Sequence, residues 1–92
     1  MGDKAQYTAE QVAQYTALYA EAEVRALGLQ QYKLLPFLNT HSKNQLMREM
    51  ALDLRRVLGN IEREIPKEVR DKMSFMGNLE LLATNTILQT ED

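Results

Sequence analysis

Cysteine and tryptophan are absent from this chain, histidine occurs once, and proline and glycine number only two and four among 92 residues. Each scarcity removes a class of chemistry. Without cysteine there is no disulfide framework, thiolate metal site or cysteine nucleophile, and a single histidine leaves a zinc site short of ligands. The glycines, at 2, 28, 59 and 77, are too scattered to form a phosphate-cradling loop. No Glu-x-x-His pair is present, so a carboxylate di-metal bundle lacks its signature. Glu21/Glu23 and Glu62/Glu64 stand two apart, which on a helix aims them in different directions; they read as solvated charges. The expectation is a chain without catalytic machinery, metal or cofactor.

Long apolar runs are missing too. Nothing approaches the ~20 residues of a membrane span. The opening MGDKAQYT lacks the basic-then-apolar plan of a secretory signal, and Met1-Gly2 is not followed by the serine or threonine of a myristoylation site. A cytoplasmic location is expected. Net charge is −2, which gives the whole molecule no reason to seek nucleic acid, but the balance is uneven. Residues 1–28 sum to −2, residues 29–65 to +2 and residues 66–92 to −2.

What is present is helical periodicity. The strongest stretch is His41 to Ile65, where Leu46, Met47, Met50, Ala51, Leu54, Val57, Leu58, Ile61 and Ile65 share an arc roughly 140° wide. Ser42 with Gln45 supplies a capping box, Asn39 and Thr40 compete for the same cap, and Pro66 predicts an end by Glu64. Such a helix is about 35 Å long. An ordinary compact chain of this size has a radius of gyration near ~12 Å, so an elongated bundle is expected.

Helix one is predicted to begin at a Thr8/Gln11 capping box with a Tyr7–Val12 staple and to end at Gly28. Its apolar residues form two seams. Val12, Tyr15, Tyr19, Ala22 and Ala26 make one; Ala13, Ala17, Ala20, Val24 and Leu27 make the other. A surface this wide should touch two elements at once. Tyr15 and Tyr19 are expected at a core edge, a stacking platform for a ring being the alternative. Leu29, Tyr32 and Leu35 suggest a short helical turn before Pro36, with Pro36, Phe37 and Leu38 folding back as a lid. Helix three is predicted from Pro66 at N1 to about Leu88, with a core face of Val69, Met73, Met76, Leu79, Ala83 and Ile87 and with Phe75 and Leu82 at its margin. Gly77-Asn78 offers a point of division.

The predicted fold is therefore all-α: a small antiparallel bundle of three long helices and one short connecting helix, a single domain over residues 1–92 with frayed ends at 1–7 and 89–92. The very short junction at Ile65-Pro66 makes a domain-exchanged dimer conceivable.

Function is sought on the outer faces. Arg48, Arg55, Arg56 and Arg63 form a ridge on the second long helix, and Leu52 and Gly59 sit inside it, seven residues apart. A solvated face, or a helix stopping at Leu58 with Gly59 as its cap, accounts for this blandly. A second contact face accounts for it more sharply. Leu81 and Leu88 repeat the pattern on helix three. The leading expectation is a non-enzymatic interaction module of inhibitor, immunity, adaptor or assembly-factor type. It would self-associate or bind another protein through Arg48, Leu52, Arg55, Arg56, Gly59, Arg63, Leu81 and Leu88. The alternative is a nucleic-acid or anion-binding protein using the ridge at Arg48, Arg55 and Arg56, or His41, Ser42 and Lys43 at a helix N-terminus. More remotely, His41 before Ser42-Lys43-Asn44 resembles the phospho-accepting histidine of helical-bundle phosphotransfer domains. Those domains usually place that residue within a helix face, whereas here it is expected at or before the cap.

Overall fold

The computed structural model describes residues 7–36, 39–73 and 76–91. Four helices follow one another: α1 (Ala9–Leu34), α2 (Thr40–Glu64), α3 (Lys67–Arg70) and α4 (Met76–Gln89), with no strand among the described residues. The shape is a rod of 58 × 19 × 17 Å with a radius of gyration of 15.8 Å, well above the value for a compact chain. Three long helices and one short one form an all-α bundle, as expected, but the short helix is α3, not a turn before Pro36.

α2 is the spine. Met47, Ala51, Leu54, Val57, Leu58 and Ile61 are buried, and Ile65 continues the face beyond the helix end. Leu46, predicted for the same face, lies at its edge and is exposed. α1 packs antiparallel on this spine through Tyr19, Ala22, Ala26 and Leu29. Three fully or nearly fully buried alanines, Ala22, Ala26 and Ala51, let the two backbones approach. α4 lies chiefly on the other flank of α2 and closes the core with Met76, Ala83 and Ile87. Val69, Met73, Leu79 and Leu82 are half-buried against it, and Phe75, expected at its margin, lies outside the described residues.

The helix ends follow local chemistry, not always as expected. Thr8 and Gln11 do form the predicted capping box. Tyr7 meets Tyr15 edge-on at 6.0 Å, and Val12, expected as its staple partner, lines the same groove and is half-exposed. Gly28 does not end α1. The apolar period runs on through buried Leu29 and half-buried Tyr32, and the helix stops only where Pro36 forces Leu35 into extended backbone. The ammonium of Lys43 then donates to the carbonyls of Lys33 and Leu35, both at 2.8 Å, satisfying groups the helix end leaves open. Pro36 is exposed rather than folded over the core; Phe37 and Leu38 lie outside the described residues.

Asn39, not Ser42, caps α2: its side chain accepts from the Ser42 backbone N–H at 3.1 Å. His41 and Ser42 therefore lie inside the first turn. Gly59 neither caps nor breaks α2, which ends at Glu64 as Pro66 dictates. Pro66 is the N-cap of α3 rather than N1 of a long helix, and the division of the third segment falls before Gly77. Arg70 anchors this corner by donating from Nε to the Ile65 carbonyl at 3.0 Å. A whole helical turn thus separates α2 from α4, and the short junction that made domain exchange conceivable is not one. At the far end Thr90 is buried, its hydroxyl donating to the Thr86 carbonyl at 2.7 Å.

Candidate interaction surface

α4 runs antiparallel to α2 and ends at Gln89, which leaves Thr90 abreast of Arg48 and Leu52. Beyond that level α1 and α2 continue as a two-helix hairpin, with no third helix among the described residues. Two grooves open along the α2–α4 seam. One is lined by Arg55, Leu58, Gly59, Glu62, Glu80, Ala83 and Thr84. The other is lined by His41, Asn44, Gln45, Arg48, Glu49, Leu52 and Thr90.

The structure divides the arginine ridge. Arg56 is tied to Asp53, its Nη2 donating at 2.6 Å, and Asp53 also accepts from Arg25 of α1 at 2.6 Å. These hydrogen bonds, from Arg56 first and Arg25 next, hold the Asp53 carboxyl below the usual aspartate range. Arg63 donates to Asn60 on its own helix. Arg48 and Arg55 make no ion pair among the described residues and face the grooves. Leu52 is 48% exposed, and Leu81 and Leu88 are each 60% exposed on α4, opposite its core face. Gly59 lies in the groove wall, where an added Cβ would meet only the Arg63 guanidinium at 3.5 Å. The predicted partner residues thus fall into three groups, of which Leu81 and Leu88, exposed on α4, are one. Arg48, Leu52, Arg55 and Gly59 line the α2–α4 grooves; Arg56 and Arg63 are held by neighbours on α2.

The weaker anion site comes apart. Lys43 is turned to the end of α1, Ser42 gives its backbone N–H to Asn39, and His41 stands exposed in the first turn of α2. Lys43 is therefore not set beside His41 to meet a phosphoryl group.

Periodicity on one helix could not signal two further features, because both join helices. Glu62 and Glu80 meet across the first groove. Partial burial of the Glu80 carboxyl raises its pKa above the ordinary glutamate value, the hydrogen bond and charge of Glu62 raise it further, and Arg70 opposes both. A third and larger groove, about 560 Å³, runs between α1 and the α3 corner, walled by Tyr7, Tyr15, Tyr19, Val69 and Met73. The tyrosines expected at a core edge are therefore there: Tyr19 is buried and Tyr15 half-buried.

Among the described residues no group of acidic or histidine side chains could hold a metal ion, and no helix is long and apolar enough to cross a membrane. Fold and surface together define an elongated antiparallel helical bundle with leucine and arginine left along its grooves. No family model, curated protein or solved structure matches this chain.

Proposed function

We propose that this chain is a non-enzymatic protein–protein interaction module that self-associates through the outward sides of α2 and α4. The observation that carries the reading is the coincidence of three leucines at least about half exposed, Leu52, Leu81 and Leu88, with two arginines, Arg48 and Arg55, that have no ion-pair partner among the described residues. Apolar side chains ringed by arginine are a composition that interface centres favour. An inhibitor, an adaptor or an assembly factor would use such a face in the same way. Sedimentation over a range of concentrations tests it: the wild type should exceed monomer mass, and Leu52→Glu should return it to monomer. A wild type that stays monomeric, or a Leu52→Glu variant that keeps the wild-type mass, rejects self-association through this face.

Nucleic-acid or anion binding is the second reading, since Arg48 and Arg55 have no ion-pair partner among the described residues. Acidic residues in the same grooves, Glu49 beside Arg48 and Glu62 with Glu80 beside Arg55, weigh against it. A gel shift at low salt with no retarded species removes that reading. Phosphotransfer through His41 has less support still, because the neighbouring lysine is engaged elsewhere.

A further inference from the structure

Among the described residues nothing covers the second seam of α1. Ala9, Ala13, Ala17, Ala20, Val24, Leu27 and Leu34 lie on one side of the helix, and all are exposed; Val24, Leu27 and Leu34 are 68%, 55% and 85% exposed. From Ala13 onward they follow the alternating four-and-three spacing of a helix-pairing stripe, interrupted only by Gln31. Such a stripe on a 26-residue helix is about 39 Å long. It also tapers, with alanines toward the N-terminus and bulkier side chains toward the C-terminus.

Charge says what fits it. Glu10 and Glu21 border one side of the stripe and Glu23 borders the other, all exposed. The basic residues of α1 lie elsewhere: Arg25 is turned to Asp53 of α2, though it also reaches Glu21 at 3.4 Å, and Lys33 is half-buried. Lys72 stands across the tyrosine-lined groove from Glu23, outside the stripe. A second copy laid antiparallel on this seam gains large-against-small packing. It also brings Glu21 toward Glu21 and Glu23 toward Glu23 about the two-fold axis, and like charges at such positions oppose pairing. A helix with basic flanks has no such conflict.

We propose that the outer seam of α1 binds an amphipathic helix of another protein, with an apolar stripe flanked by lysine or arginine. Bulky side chains of that helix would lie over Ala13, Ala17 and Ala20, and small ones over Val24 and Leu27. This surface is distinct from the α2–α4 face and does not depend on it.

The probes are two fluorescent helical peptides of about three heptads, both with leucine at the core positions, one with lysine and one with glutamate at the flanks. At low salt the lysine peptide should bind the full chain about tenfold or more tightly than the glutamate peptide, with the gap narrowing as salt rises. Leu27→Glu, at an exposed position, should abolish binding while leaving the helical circular-dichroism melt intact, and Leu52→Glu should leave it unchanged. Glu21→Lys/Glu23→Lys should reverse the order of the two peptides. Equal affinity for both peptides overturns the proposal, as does undiminished binding to Leu27→Glu. So does a wild-type oligomer that Leu27→Glu, but not Leu52→Glu, converts to monomer, because the occupant is then a second copy.

Discussion

The two ends of this rod are built differently. At one end α4 lies against α2, and Leu54, Val57 and Ile61 have no exposed surface at all. At the other, beyond Thr90, α1 and α2 pair with no third helix among the described residues, and Leu34, Leu35 and Leu46 remain exposed beside half-buried Tyr32. Two helices can bury only the stripe between them. A third is needed to cover the wider apolar arc that a 25-residue spine presents.

Truncating the core should show this contrast most strongly. Leu54→Ala should cost about 3 kcal/mol in denaturant unfolding, because the site cannot collapse around the missing atoms. Leu46→Ala, 43% exposed at the hairpin end, should stay within about 0.5 kcal/mol. Similar losses at the two positions would mean that the hairpin end is covered in solution.

Glycine substitution should raise stability at both ends. Gly28 lies in the hairpin half of α1 and Gly59 in the three-helix half of α2, and both sit in helix interiors without a positive φ. An added Cβ would meet Met50 Cε at 3.9 Å and Arg63 Nη1 at 3.5 Å respectively, ordinary contact in each case. Gly28→Ala and Gly59→Ala should therefore each add about 0.8 kcal/mol from helix propensity. If Gly59→Ala stabilises the monomer yet weakens self-association, the glycine is there to admit a partner.

The smallest effect belongs to the α2–α4 groove. Because the folded pKa of Glu80 is raised, its ionised form is disfavoured in the fold. Stability should increase as pH falls through the raised folded value toward the unfolded one, and the penalty should be fully present at neutral pH. Glu80→Gln should relieve it at neutral pH by about 0.3 kcal/mol, small because solvent screens an exposed pair. Asp53 acts in the opposite sense. Its lowered pKa contributes stability above the unfolded aspartate value, and that contribution is lost as pH falls through the folded value. Comparing urea midpoints at neutral pH, at mildly acidic pH and below the usual aspartate pKa for wild type, Glu80→Gln and Asp53→Asn separates the two contributions.

Much of this architecture was legible one helix at a time. The buried face of α2, its end at Pro66, the Thr8 cap and the outward placement of Leu81 and Leu88 need only local geometry and a 3.6-residue period. Where the reading failed, packing outweighed local propensity. Gly28 is a good stop signal, yet burial of Leu29 carries α1 through it; the long third helix gives way to a turn because the chain must reverse after Pro66. Of the candidate surface, Arg48 and Arg55 were visible as part of an arginine ridge and Leu52 and Gly59 as residues out of place within it. The loss of Arg56 to Asp53 was not, because it depends on a rotamer and on a further bond from Arg25.

By itself the sequence determined an all-helical chain, where its strongest helix runs, which face of that helix is apolar, and that cysteine chemistry is closed to it, since these follow from composition and backbone periodicity. Only the tertiary structure decided which apolar faces found a partner. Both seams of α1 look alike in the sequence, but the rod places α2 against one and nothing among the described residues against the other. The direction in which helices pack is set by the sum of contacts along their lengths, and no single helix records it.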